Sequence, residues 1–153
     1  MIERLESDDG ESLEGWIDTL KFGADGLIPA VIQESVTGQV LMVGYMNRQS
    51  IEMTLREGRT CFWSRSRQRL WTKGETSGHF QKVRAVFCDC DRDCLLIEVD
   101  QTGEACHLGR KSCFLRSYGA VQMLLGPGSV WISSTKQWRI ERQANRKVRT
   151  RPS

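Results

Sequence analysis

The sequence predicts an α+β chain dominated by antiparallel β-sheet, a partly open barrel or roll with a few short helices, built as a single domain. Three observations carry that expectation. Apolar residues recur in short paired runs, LIPAVIQ (27–33) with VLMVGYM (40–46) and Lys82–Cys90 with Cys94–Val99, as strand pairs do. Turn-forming residues separate the runs: Thr37-Gly38 in the first pair and an aspartate-rich stretch in the second. The length, 153 residues and 17.5 kDa, corresponds to about one domain on a prior of roughly 150 residues each.

Taken in order, the first 25 residues form an acidic arm with one short helix expected over Leu13–Phe22. LIPAVIQ and VLMVGYM read as a β-hairpin. Asn47 is an N-cap for RQSIEMTLREG, in which Ile51, Met53 and Leu55 are apolar and Gly58 closes the helix. TCFWS (60–64) and RLWTKG (69–74) read as short strands joined by an arginine-rich turn. Lys82–Cys90 and Cys94–Val99 form the second antiparallel pair. Cys113–Leu125 is expected to be a helix or a strand, and Gly126-Pro127-Gly128 breaks the chain. Beyond it, VWISSTKQWRIERQANRKVRTRPS weakens from a short apolar segment into a basic tail. The expected domains are therefore an acidic arm (1–25), a core domain (26–125) and a basic extension (126–153).

Charge and cysteine content narrow the function. The chain carries 22 basic and 19 acidic side chains, but residues 1–25 hold eight acids against two bases and residues 136–151 hold seven bases against one acid. A pI near 8.6 is milder than the value above about 9 expected of a nucleic-acid-binding domain, so a nucleic-acid partner is disfavoured. No apolar run approaches the roughly 18 residues of a membrane span. The acidic start lacks a secretory pattern, which predicts a soluble, cytoplasmic protein with no membrane partner. Six cysteines in such a compartment suggest free thiols, metal ligands or catalysis before disulfides.

The densest chemistry lies at Asp89-Cys90-Asp91-Arg92-Asp93. On an extended strand Asp89, Asp91 and Asp93 share one face, and Cys88, Cys90 and Cys94 share the other. Carboxylates so placed suit a hard cation such as magnesium. On a straight strand the outer two Cα atoms lie about 13 Å apart, so three carboxylates on one ion require a bend, a bulge or a second chain. A solvated acidic loop is the other reading. An EF-hand is excluded, because Cys94 stands where that loop needs glycine and Asp100 where it needs glutamate. Cys90, Cys106 and Cys113 offer a soft site, and three protein ligands plus water is the arrangement of a catalytic zinc. Buried free cysteines are the plainer reading of each alone. His107 would then be a base beside Cys106, and a capped or surface histidine is the alternative. In residues 63–78, Ser64, Arg65, Arg67, Lys73, Gly74, Thr76, Ser77 and Gly78 suit phosphate, with Trp71 among them. An exposed basic hairpin is the alternative there.

Together these segments resemble the phosphoribosyl-AMP cyclohydrolase family. The matching strings are YMN (45–47), FWSRSR (62–67), LWTKGETSG (70–78), DCDRDCLL (89–96), Gln101-Thr102-Gly103, ACH (105–107) and SCF (112–114), in family order over roughly residues 27–115. Leu108 departs from the family's usual threonine and Cys94 from a small apolar residue. The resemblance implies hydrolytic opening of the adenine ring of 1-(5-phosphoribosyl)-AMP in histidine biosynthesis, by zinc-activated water. It implies an intertwined homodimer with one zinc per chain on Cys90, Cys106 and Cys113, Cys90 coming from the partner. It also implies magnesium on Asp89, Asp91 and Asp93, with His107 assigned as general acid/base. The strand alternation that turns Cys90 away from its flanking aspartates agrees with a zinc shared between chains. A zinc nucleobase deaminase is disfavoured, since its H-x-E…P-C-x-x-C signature is absent. The other alternative is a metal-stabilised nucleotide- or nucleic-acid-binding module without catalysis.

Overall fold

The computed structural model describes residues 10–116, 129–134 and 137–142. Helix α1 (Leu13–Asp18) starts where the Ser12 side chain accepts the Gly15 N–H at 3.1 Å. It stops four residues short of the expected Phe22. The Thr19 hydroxyl donates to the Trp16 carbonyl at 2.7 Å, and the Leu20 N–H bonds three residues back to Ile17, which tightens and ends the last turn. Ile17 and Leu20 nevertheless enter the core, so the acidic segment is packed there on its apolar side.

Strands β1 (Ile28–Glu34) and β2 (Val40–Met46) pair antiparallel as predicted, from Ile28 opposite Met46 to Ile32 opposite Met42, with a bulge before Gln33. The turn between them needs the left-handed backbone of Gly38, whose N–H donates to Glu34. Helix α2 (Arg48–Glu57) follows with Asn47 and Ser50 each bonding the other's backbone N–H, and Gly58 ends it in the left-handed conformation. Its buried Thr54 hydroxyl accepts the Cys61 N–H at 2.9 Å, which fixes where β3 (Cys61–Ser64) leaves the helix. That strand pairs with β4 (Arg69–Thr72), setting Phe62 opposite Trp71 with ring centroids 5.0 Å apart.

Strands β5 (Gln81–Cys88) and β6 (Leu95–Gln101) form the second predicted antiparallel pair. The sheet order is β2-β1-β6-β5, and its central contact, β1 with β6, is parallel. Mostly antiparallel sheet with two short helices among the described residues is the α+β class expected. The fully buried Ile17, Ile28, Ile32, Met46, Ile51, Phe62 and Ile97 form the core, each contributing about 1.5–3 kcal/mol by leaving water. Gly44 makes the Phe62 position possible: a Cβ there would lie 2.5 Å from the ring.

A separate unit begins at Arg116. Within it β7 (Ser129–Ser134) and β8 (Gln137–Arg142) pair antiparallel, Trp131 opposite Ile140. The expected decay into a basic tail is thus corrected up to Arg142. Trp138 and Ile140 alternate with Gln137, Arg139 and Glu141 at the period of a strand. Of the expected Cys113–Leu125 element, Cys113–Arg116 is neither helix nor strand, and the rest lies outside the described residues. No helix among the described residues is long and apolar enough to cross a membrane.

Candidate active site

Asp89–Cys94 is the turn that closes β5 onto β6, not a strand. The Asp89 N–H donates to the Cys94 carbonyl at 3.0 Å, the Arg92 N–H donates to the Asp89 carbonyl, and Asp89 Oδ1 accepts the N–H groups of Asp93 and Cys94. Arg92 turns the chain through a left-handed conformation. This supplies the bend that a straight strand lacks: oxygens of Asp89, Asp91 and Asp93 lie within 4.8 Å of one another. The strand alternation invoked for Cys90 is corrected with it, since Cys90 sits exposed in the turn. The Asp89 charge, helped by partial desolvation and by Asp91, pushes the Asp93 carboxyl above its ordinary value. A cation would relieve that repulsion. The Lys21 N–H donates to the Arg92 carbonyl at 2.7 Å, tying this turn to the segment after α1.

Cys106 and Cys113 are brought together by two separate devices. Cys106 begins a tight turn in which the Gly109 N–H donates to its carbonyl and its own N–H donates to Arg110 at 2.9 Å. Cys113 is carried to it by docking on β2: its N–H donates to Leu41 at 2.7 Å, and the buried Ser112 hydroxyl donates to Val40 at 2.8 Å. Lys111 pairs with Glu34 at the same edge. Burial pushes the Cys113 thiol up, the Cys106 charge and hydrogen bond push it further, and nearby Lys73 opposes both. Two soft donors in contact suit a thiophilic cation. Among the described residues the three aspartates are the one group of three potential metal ligands, so Cys90 of the same chain does not join the thiol pair. Topology agrees. Cys90 lies in the turn closing the β5–β6 hairpin, while the segment bearing Cys106 leaves from the hairpin's other end, about 20 Å along β6.

His107 is exposed in the turn after Cys106, and its ring has no hydrogen-bond partner among the described residues. A cleft of about 530 Å³ opens beside β2, whose Leu41 holds Cys113. Of the predicted residues Arg65 and Trp71 line it, joined by Tyr45, Trp63 and Ser66, while Ser64, Arg67, Lys73, Gly74, Thr76, Ser77 and Gly78 do not. The Arg65 guanidinium lies 3.9 Å above the Tyr45 ring, a cation–π contact that holds it at the cleft. The Ser64 hydroxyl accepts the Arg67 N–H, shaping the arginine turn. Gly74 is buried with positive φ, and a Cβ there would sit 2.6 Å from the Phe80 nitrogen. The Gly78 N–H then returns to the Gly74 carbonyl, leaving Thr76, Ser77 and Gly78 exposed on a closed loop. Tyr45, Trp63 and His79 were not singled out from sequence. Tyr45 and Trp63 lie inside matched strings, and His79, one of two histidines in the chain, directly follows a third.

A family model described as phosphoribosyl-AMP cyclohydrolase matches residues 42–115. A phosphoribosyl-AMP cyclohydrolase of Prosthecochloris aestuarii is 52% identical over 110 residues, covering 72% of this chain and 80% of that protein. One from Thioalkalivibrio sulfidiphilus is 56% identical over 104 residues (67% and 79%), and one from Azotobacter chroococcum is 50% identical over 107 (69% and 80%).

Proposed function

The chain belongs to the phosphoribosyl-AMP cyclohydrolase family, and on that premise we propose that Cys106, Cys113 and His107 form its reactive centre, completed by the partner subunit's Cys90 in a homodimer. It is a hydrolase of histidine biosynthesis that breaks a cyclic amidine C–N bond, between nitrogen 1 and carbon 6 of the adenine ring of 1-(5-phosphoribosyl)-AMP. The product is the formimino-aminoimidazole carboxamide ribonucleotide.

The contact between Cys106 and Cys113 carries the zinc proposal: Cys106 helps to push the Cys113 thiol up, and a divalent cation between them converts that penalty into binding. Zinc, when bound there, would supply Lewis acidity and lower the pKa of a water towards about 7. Everything else falls to the chain. His107, next to Cys106 and exposed to solvent, takes the water proton on a ring nitrogen and returns it to nitrogen 1 as the ring opens. Trp71, Trp63 and Tyr45 offer aromatic walls for the base. Arg65, Arg67 and Lys73, with Ser64, Gly74, Thr76, Ser77 and Gly78, hold the substrate's two phosphates by charge and backbone N–H donors. Asp89, Asp91 and Asp93 hold magnesium, whose charge their mutual repulsion favours. All these residues fall within the proposed domain 26–125. A free nucleotide substrate fits a cytoplasmic location.

Ultraviolet absorbance of 1-(5-phosphoribosyl)-AMP follows ring opening directly, and a complementation assay tests the shared site. Cys90→Ser and Cys106→Ser dimers should each be inactive. Mixed one to one and refolded together, they should recover about a quarter of the wild-type activity, since half of the dimers are mixed and one of their two sites is intact. No recovery in such a mixture would refute zinc sharing between subunits.

A further inference from the structure

His79 lies outside the reactive centre and the phosphate-holding loop, yet it touches both segments. Its ring Nδ1 is 3.0 Å from the Glu104 carbonyl oxygen. A carbonyl only accepts, so Nδ1 carries the proton and donates. The ring lies over Gly103: a Cβ on that residue would come 2.7 Å from His79 Cδ2 and 3.0 Å from Nε2. On the other side the His79 N–H donates to the Ser77 hydroxyl at 3.2 Å, and the His79 backbone packs against Gly74.

The role of this contact follows from what else restrains the outgoing chain. The ladder between β5 and β6 ends at Gln81 opposite Gln101. One more backbone bond, Thr102 N–H to Phe80 carbonyl at 2.9 Å, extends it. The Gln101 side chain adds a bond to the Thr102 carbonyl and a long one to His79. Past Thr102 the chain must cross to Cys106, and among the described residues its backbone is held there by a long Ala105 N–H to Lys111 bond of 3.3 Å and by His79. The His79 ring is the shorter of the two restraints and the one that reaches back to the Lys73–Gly78 loop.

Resting on the ring-opening reading above, we propose that His79 is a positioning residue: its Nδ1–H and ring face hold the Gly103–Glu104 backbone at a set distance from the phosphate-holding loop, and thereby set where Cys106 and His107 stand over bound substrate. Phosphate contacts remain when this latch is cut, so binding persists while the reacting groups drift. A displacement near 1 Å can cost on the order of 10²-fold in rate.

Three variants separate this role from a general structural one. Asparagine presents its side-chain N–H where histidine has Nδ1, and glutamine presents it where histidine has Nε2. The expected result for His79→Ala is kcat lower by on the order of 10²-fold with KM within about threefold and zinc content unchanged. His79→Asn should return most of the lost kcat, and His79→Gln should resemble alanine. Equal rescue by both amides, rescue by glutamine alone, or a KM loss that matches the kcat loss would overturn the proposal, as would unchanged kcat in His79→Ala. Should the alanine variant not fold, the asparagine and glutamine variants decide between them. A wild-type protein that fails to open the ring would instead sink the functional reading itself.

Discussion

Asp89, Asp91 and Asp93 meet within one turn of five residues, whereas Cys106 and Cys113 meet because one loop doubles back at Gly109 and another docks on β2 at Leu41. The acidic cluster is assembled by local backbone: Asp89 alone accepts two N–H groups and closes the turn that gathers its neighbours. The thiol pair is assembled by tertiary contacts reaching 72 residues along the chain, from Ser112 to Val40. A local cluster tolerates damage elsewhere in the sheet. A pair built by docking inherits every weakness of the surfaces that dock it. The two regions also differ in exposure, since all three aspartates are exposed whereas Cys106 is buried beside an exposed Cys113.

The largest effect should come from the tertiary site. Cys106→Ser should release zinc and lower ring opening by on the order of 10⁴-fold, several kcal/mol of lost transition-state stabilisation, while the far-ultraviolet spectrum keeps its shape. Metal analysis decides it: full zinc occupancy would remove Cys106 from the ligand set. Next in size, His107→Ala should lose on the order of 10²–10⁴-fold in kcat with zinc retained, the range of a general acid/base. A fully active His107→Ala protein would move the proton transfer to another group.

At the local site the change should be gentler. Asp91→Asn should raise the magnesium concentration for half-maximal activity by about tenfold without releasing zinc, because hard and soft donors are separate. Titrating magnesium against rate tests it, and an unchanged wild-type rate under magnesium chelation would end the three-aspartate assignment. The smallest effect belongs to the second unit. Deleting residues 136–153 removes β8 and the basic stretch but none of the residues matched by the family model. Activity should stay within about tenfold, roughly 1.4 kcal/mol of barrier. A truncated protein without activity would place part of the working surface in that unit.

The legible parts of the site follow the same division. Asp89, Asp91 and Asp93 could be named as a cluster from spacing, but a strand was the wrong backbone for them; the turn became visible only with Arg92 in the left-handed region. Cys106 and Cys113 could be named from the family strings, and nothing local in either string foretells that Ser112 finds Val40. Arg65 and Trp71 were expected and do line the cleft, while Tyr45 and Trp63 were passed over because an aromatic on a strand reads equally well as core. In the β7–β8 pair Trp138 and Ile140 do alternate with Arg139 and Glu141, but the charge of the segment reads equally well as a solvated basic tail.

What the sequence determined by itself is whatever depends on neighbours a few residues away. The Asn47 cap, the Gly58 stop, the Gly38 turn and the hairpins β1–β2, β3–β4 and β5–β6 all rest on side chains that satisfy nearby backbone or alternate with period two. The tertiary structure alone decided the parallel seam of β1 against β6, the landing of Ser112 and Cys113 on β2, and the reach of His79 across to Glu104. Those contacts join residues distant in sequence through backbone carbonyls, which every residue carries alike. Side-chain pattern therefore cannot announce them; they emerge when burial of Ile28, Ile32 and Ile97 in one core leaves the strands a single compatible order.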